Sequence, residues 1–164
     1  MRPSIYIESS IISYLASRPS RDVIVAARQA ISHDWWNNHR SRFDLRISGL
    51  VEEEIGRGDD EAAQRRMSWV AGISILGITE QAIELARKLL AEEAIPAGSE
   101  EDALHVAIAA AQGADYLLTW NFRHINNAER KSAIAEVVES FGFACCCPPS
   151  EISGFFTNPP EGVG

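Results

Sequence analysis

The sequence predicts an α/β fold, a three-layer α/β/α sandwich around a central, mainly parallel sheet, on three observations. Strand-length apolar runs at Ile5-Tyr6-Ile7, Leu45 to Ser48, Ile73 to Leu76 and Tyr116 to Thr119 are separated by helical periodicity, not by tight turns. The last run has the continuous apolar content of a strand covered on both faces. The segment from Ala103 to Ala111 is apolar almost all round, broken only by His105, so it must lie between other layers.

Each element follows from local chemistry. Glu8-Ser9-Ser10 makes a strand-to-helix turn between Ile7 and the helical pattern of Ile11, Ile12, Tyr14 and Leu15. Ser20 is a candidate cap for a long helix with Ile24, Ala27, Ile31 and Trp35 on one face, ending near Asn37 and Asn38. Leu50 to Ile55 reads as an acidic helix stopped by Gly56 and Gly58, and Glu61 to Val70 resumes as helix. Thr79 caps a helix with Ala82, Leu85, Ala86 and Leu89 on its apolar side. Ser99 begins the central helix after the Pro96 and Gly98 breaks. A last helix is expected over Ala128 to Ser140 and a final strand around Phe143 to Cys146. Residues 1–150 are read as one domain, and 151–164 as a Pro- and Gly-rich tail, partly disordered.

Composition narrows the function. No apolar run approaches the roughly 18 residues needed to span a bilayer, and the Met-Arg-Pro-Ser start lacks a secretory apolar segment, so a cytoplasmic protein without membrane partners is expected. Cys145, Cys146 and Cys147 are consecutive, which matches neither a zinc knuckle nor a disulfide framework, and the four histidines form no His-x-x-x-His pair. A His/Cys transition-metal site is therefore not expected. The formal charge of −8 works against sequence-blind attraction to polyphosphate. The charge is uneven, however: residues 18 to 46 carry six arginines and three aspartates, while 80 to 102 carry seven acids and only Arg87 and Lys88. A basic lip beside an acidic centre would follow if the fold brings the two together.

In an open parallel sheet, ligands collect beyond the carboxyl ends of the strands. Glu8 follows the first strand, Glu54 lies in the first turns after the second, Asp102 opens the central helix, and Asn121 follows Thr119. Three carboxylates and an amide in one pocket would repel each other and force a carboxyl to hold a proton, unless a hard divalent cation is shared. Mg²⁺ or Mn²⁺ suits such a set, keeps several waters and binds phosphate oxygens, so the pattern points to phosphodiester chemistry.

Bland explanations compete at each position. Asp102 fits a Ser99-x-x-Asp capping box, and Glu54 sits in an acidic run in which an exposed face is the default. Glu8 can be a turn residue, although a carboxylate between an apolar strand and an apolar helix is costly without a partner. Asn is common wherever a strand ends in a turn. Trp120 and the Trp35-Trp36 pair can stack on bases, but packing is the commoner use of aromatic residues. Arg123 and His124, with Arg18 and Arg21, are candidates for phosphate contacts.

With these residues in place, the chain resembles the PIN-domain ribonucleases, especially the VapC-like toxins of bacterial type II toxin-antitoxin pairs, over about residues 4 to 150. The carriers are Tyr-Ile-Glu-Ser-Ser at 6 to 10, Val-Glu-Glu-Glu-Ile at 51 to 55, Glu-Asp-Ala-Leu-His-Val-Ala at 101 to 107 and Leu-Leu-Thr-Trp-Asn-Phe-Arg-His at 117 to 124. The resemblance maps the family's four acidic positions onto Glu8, Glu54, Asp102 and Asn121, and Ser10 onto a hydroxyl that supports the first acid. Two departures stand out. Glu8 is one methylene longer than the usual Asp, and Asn121 is neutral where an Asp is usual.

The expectation is a metal-dependent endoribonuclease. Glu8 and Asp102 bind Mg²⁺ or Mn²⁺, Glu54 helps hold the ion or orients the attacking water, and Asn121 orients water or substrate. Ser10, Thr119, Arg123 and His124 give support. The resemblance alone implies the RNA substrate, a cognate antitoxin and a homodimer. A degenerate PIN domain that binds RNA or a protein without cleavage is the alternative, motivated by the two departures. A phosphoacceptor receiver or phosphotransferase ranks below both, because the first strand ends in Glu-Ser-Ser and not in a nucleophilic aspartate.

Overall fold

A computed structural model describes residues 1–145 of the chain. Its sheet is built from β1 (Ser4–Ile7), β2 (Asp44–Ser48), β3 (Ser74–Leu76) and β4 (Tyr116–Leu118), in the order β3-β2-β1-β4 with every neighbouring pair parallel. Parallel neighbours require crossovers, and helices supply them: α1 (Ser9–Ala16), α2 (Val23–Asn38), α3 (Gly49–Ile55), α4 (Asp60–Val70), α5 (Glu80–Ala91), α6 (Glu100–Ala111) and α7 (Lys131–Ser140). The helices fall into two packed groups. Helix α1 contacts α2, α3 and α4, whereas α5 contacts α6 and α7. This is the three-layer α/β/α architecture expected from the sequence.

The core follows the apolar pattern. Ile5, Tyr6 and Ile7 of β1 are fully buried, as are Leu117 of β4 and Ala103, Ala107, Ile108 and Ala109 of α6, so β1 and α6 are interior elements. Trp35 and Trp36 are also buried, Trp35 stacking on Phe43 with ring centroids 5.8 Å apart. Both indoles pack and are not available to bases. No helix among the described residues is long and apolar enough to cross a membrane.

Several boundaries differ from expectation. Asp22, not Ser20, caps α2: its carboxylate accepts the Val25 N–H at 2.9 Å, and the Ser20 hydroxyl accepts the N–H of Asp22 itself at 3.1 Å. A carboxylate at the helix end also answers the helix dipole, so it wins over the earlier serine. The last helix begins at Lys131 because Asn127 forms a turn first, its side chain accepting the Glu129 N–H at 2.9 Å. No strand forms from Phe143 to Cys145: Gly142 takes a positive φ of 96° and the Phe143 N–H returns to Val138 O, closing α7 instead of extending the sheet. Cys145 is half-buried, while Cys146, Cys147 and the tail expected from Pro148 lie outside the described residues.

The strand order places the site. From β1 the chain builds outward through β2 to β3, then returns to put β4 on the other side of β1. The direction of winding therefore reverses between β1 and β4, and the carboxyl ends at such a switch leave a crevice in which ligands bind. Glu8 leaves the end of β1 there, and Thr119 leaves the end of β4.

Candidate active site

Glu8 sits where two strands end side by side. Its N–H donates to Leu118 O at 3.0 Å, extending the β1–β4 ladder by one bond, and its side chain turns back over α1. One carboxylate oxygen takes the Ser9 hydroxyl at 2.8 Å. The other takes the Ser10 N–H at 3.1 Å, the Ser10 hydroxyl, and the Thr119 hydroxyl at 2.8 Å. Glu8 thus caps α1 as well, while only 5% of it is exposed. Four donors around one buried carboxylate offset the desolvation of its charge. Ser10 and Thr119, both named from the sequence, are two of the residues that hold it.

Glu54 is the inward member of its acidic run. Helix α3 starts at the end of β2, and its turn aims Glu54 inward with a side chain 13% exposed, whereas Glu53 points to solvent at 67%. Glu54 Oε2 lies 2.9 Å from His105 Nε2 on α6. His105 is fully buried, and its Nδ1 lies 2.7 Å from the Tyr6 hydroxyl, which lies 2.7 Å from Ser48 Oγ. Ser48 Oγ in turn accepts the Val51 N–H at 3.4 Å as the cap of α3. With the Nε2–H tautomer of the imidazole, every donor in this line runs one way, from Val51 N–H through Ser48, Tyr6 and His105 to the Glu54 carboxylate.

Ligand atoms of Glu8, Glu54 and His105 all lie within 4.8 Å of one another, a group able to hold a metal ion. Two residues of this group were named from the sequence, and His105 was not. Its one sequence signal was a lone polar ring in an otherwise apolar helix, and no spacing rule links it to Glu54, 51 positions away.

Asp102 takes a different partner. Its Oδ2 lies 2.6 Å from His124 Nδ1, to which the Ser99 hydroxyl also comes within 3.2 Å. Ser99 makes no side-chain cap to α6, so the capping-box explanation of Asp102 fails. Asn121 turns toward the same loop: its side-chain oxygen accepts the His124 N–H at 3.0 Å and its own N–H donates to Thr119 Oγ1 at 2.9 Å. Asn121 therefore positions His124, which positions Asp102. Gly98, Ser99, Glu100, Glu101, Asp102 and His124 line an open cleft of roughly 450 Å³. A neighbouring hollow of roughly 560 Å³ shares Ser99 and His124 and is bordered by Arg123 and Arg130. An acidic cleft thus adjoins a basic one.

A further acid joins the cluster. Glu101 lies 2.7 Å from the Arg57 guanidinium, which also binds Glu53 at 2.9 Å. The Arg57 guanidinium beside it holds the Glu101 carboxyl below its ordinary value of 4.5. The same two carboxylates, Glu101 before Glu53, push Arg57 upward. Arg57 is the cation that offsets part of the negative charge at this edge.

Comparison with known proteins bears on the family and the fold. The PIN domain family profile matches residues 5–130. No curated protein matches the chain by sequence. Among solved structures, the chain is similar to VapC20 of Mycobacterium tuberculosis, described as a sarcin-ricin loop cleaving toxin. The identity is 16% and the TM-score 0.57, over 86% of this chain and 97% of that one. It is also similar to a chain of VapBC2 from Rickettsia felis, solved bound to a DNA fragment from their promoter. There the identity is 15% and the TM-score 0.53, over 73% of this chain and 89% of that one. At these identities the likeness is one of fold.

Proposed function

Because the chain belongs to the PIN domain family, we propose that it is a divalent-metal-dependent endoribonuclease, the toxin of a type II toxin-antitoxin pair. The observation that carries this reading is the approach of Glu8 and Glu54 to within 4.8 Å, with His105, at the carboxyl ends of the sheet. The donor set fits Mg²⁺ or Mn²⁺: the two carboxylates offer hard oxygen ligands, and His105, donating from Nε2–H, orients the Glu54 carboxylate toward the ion. When bound, the ion would polarise the scissile phosphoryl group and make a water acidic enough to attack it.

The chain's own residues supply the rest. Glu8, held by Ser9, Ser10 and Thr119, presents a carboxylate to the ion without having to reorganise. Glu54 shares the ion or accepts a proton from the attacking water. Asp102 contributes the carboxylate oxygen that His124 does not occupy, and Asn121 keeps His124 in place. Arg123, on the adjoining basic hollow, takes a phosphate of the RNA. A cognate antitoxin is the proposed partner, as the Rickettsia felis neighbour carries the name of a paired system, and self-association as a homodimer completes the reading.

One observation favours a second reading, in which the domain binds RNA without cutting it. Asp102 and Asn121 both spend an oxygen on His124, leaving fewer open oxygens for an ion. Cleavage of single-stranded RNA in Mg²⁺ or Mn²⁺ separates the two, with EDTA and Asp102→Asn as controls. Turnover that needs the metal and is lost in Asp102→Asn supports the nuclease. Binding with no turnover in either metal leaves the binding domain. In parallel, Mn²⁺ should raise the melting temperature of the wild type and not of Glu8→Gln, because a ligand held only by the native state stabilises it.

A further inference from the structure

Beside the acidic cluster lies a group of side chains that the metal chemistry does not use. The Arg28 guanidinium of α2 is centred 5.9 Å from the Tyr14 ring, 5.5 Å from Trp120 and 5.6 Å from Phe122, and it donates to the Tyr14 hydroxyl at 3.0 Å. The rings meet edge to face: Trp120 lies 5.9 Å from Tyr14 and 5.8 Å from Phe122. Trp120 is anchored from behind by its indole N–H on Ser32 at 2.8 Å. Phe122, in contrast, is 45% exposed. Arg28 has no carboxylate partner among the described residues, in a chain with 23 acids.

This group is tied to the site by the backbone. The Trp120 N–H donates to Ser10 Oγ at 2.9 Å, and the same hydroxyl donates to Glu8. Phe122 is the immediate neighbour of Asn121, and its N–H closes a turn onto Trp120 O at 3.0 Å. An exposed ring, a cation with no carboxylate partner beside it and an acidic centre two hydrogen bonds away make one combination. A flat, uncharged π-system attached to a phosphate chain matches it.

We propose that Phe122 and Arg28, backed by Tyr14 and Trp120, form a stacking subsite for one unpaired nucleobase of the RNA next to the scissile phosphate. The subsite rests on the nuclease reading of the adjoining centre. Base stacking on aromatic rings tolerates any base, and a guanidinium adds cation–π attraction, so the subsite selects single-stranded RNA over duplex and does not select sequence. It also gives a chain with net charge −8 a means of holding RNA that does not depend on a broad basic surface.

The test uses the full chain, a fluorescein-labelled single-stranded oligouridylate and EDTA, so that binding is read without cleavage. Phe122→Ala should weaken binding about tenfold, Phe122→Trp should restore it, and Arg28→Ala should weaken it by a similar factor. An oligonucleotide carrying 5-iodouridine should photocrosslink to Phe122, located by mass spectrometry. Binding within twofold of wild type in Phe122→Ala, or crosslinks that avoid residues 120–122, would overturn the subsite. Phe122 is surface-exposed, so the Ala variant should fold, with an unchanged melting temperature as the check. The two readings fail separately: a wild type that stacks RNA but cuts none in Mg²⁺ or Mn²⁺ refutes the nuclease and keeps the subsite. A wild type that cuts RNA while Phe122→Ala binds normally does the reverse.

Discussion

The hydroxyl of Tyr6 lies 2.7 Å from both Ser48 and His105, inside the core, so a single atom serves two buried partners. Tyr6→Phe keeps the ring and removes that atom. Leaving a buried polar group unsatisfied costs about 1–3 kcal/mol, so urea unfolding of Tyr6→Phe should show a loss in that range with an unchanged m-value. A loss near zero would mean that the line from Ser48 to Glu54 is not a structural unit. Glu101 tests the edge of the site through pH. Its folded pKa is held below 4.5 by Arg57, so its stabilisation is present above that value and is lost as pH falls through the folded one. In metal-free protein, Glu101→Gln should therefore be less stable than wild type above about pH 5, and the gap in urea midpoint should close on acidification. A gap that widens instead would contradict the assigned direction. The same residues show what the sequence could reveal. Glu8 and Glu54 were legible because a strand end or a following helix start is a local pattern. His105 was not, because its role comes from a contact with Glu54, 51 residues away.

At the scale of elements, the strands and helices were legible wherever one local rule was unopposed. Thr79 caps α5 by accepting the Ala82 N–H at 3.1 Å, as its position before the apolar periodicity indicated. The start of α2 was misplaced because Ser20 and Asp22 are both good caps, and choosing between them depends on where the chain leaves α1, held by Gln29 bonds to Ser17 and Arg18. The observed cap makes an ordering testable. Asp22→Ala should cost about 1 kcal/mol, as a typical lost N-cap does. Ser20→Ala, which removes only the bond to the Asp22 N–H, should cost less. Thermal melts of the two variants check the ordering, and a larger loss for Ser20→Ala would return the cap to Ser20. The missing strand after α7 has a similar cause: Phe143 and Cys145 suit a strand by type, but Gly142 at φ 96° reverses the chain before it reaches the sheet.

For the whole molecule, the net charge of −8 and the strand order act together. The reversal at β1 and β4 concentrates acids at one crevice, and the same loop brings Arg123 and Arg130 to the adjoining hollow. A polyanionic substrate is then attracted at a few points and repelled over most of the surface. Binding of single-stranded RNA releases counterions in proportion to the phosphates contacted, with a slope of log affinity on log salt of about −0.7 per contact. About three contacts give a slope near −2, and Arg123→Ala should make it shallower by about 0.7 while Phe122→Ala lowers affinity at every salt concentration without changing it. Titrations by fluorescence anisotropy across a range of salt, in EDTA, measure both effects. A slope steeper than about −4 would imply a basic face broad enough to coat the RNA, and this distribution of charge could not provide one.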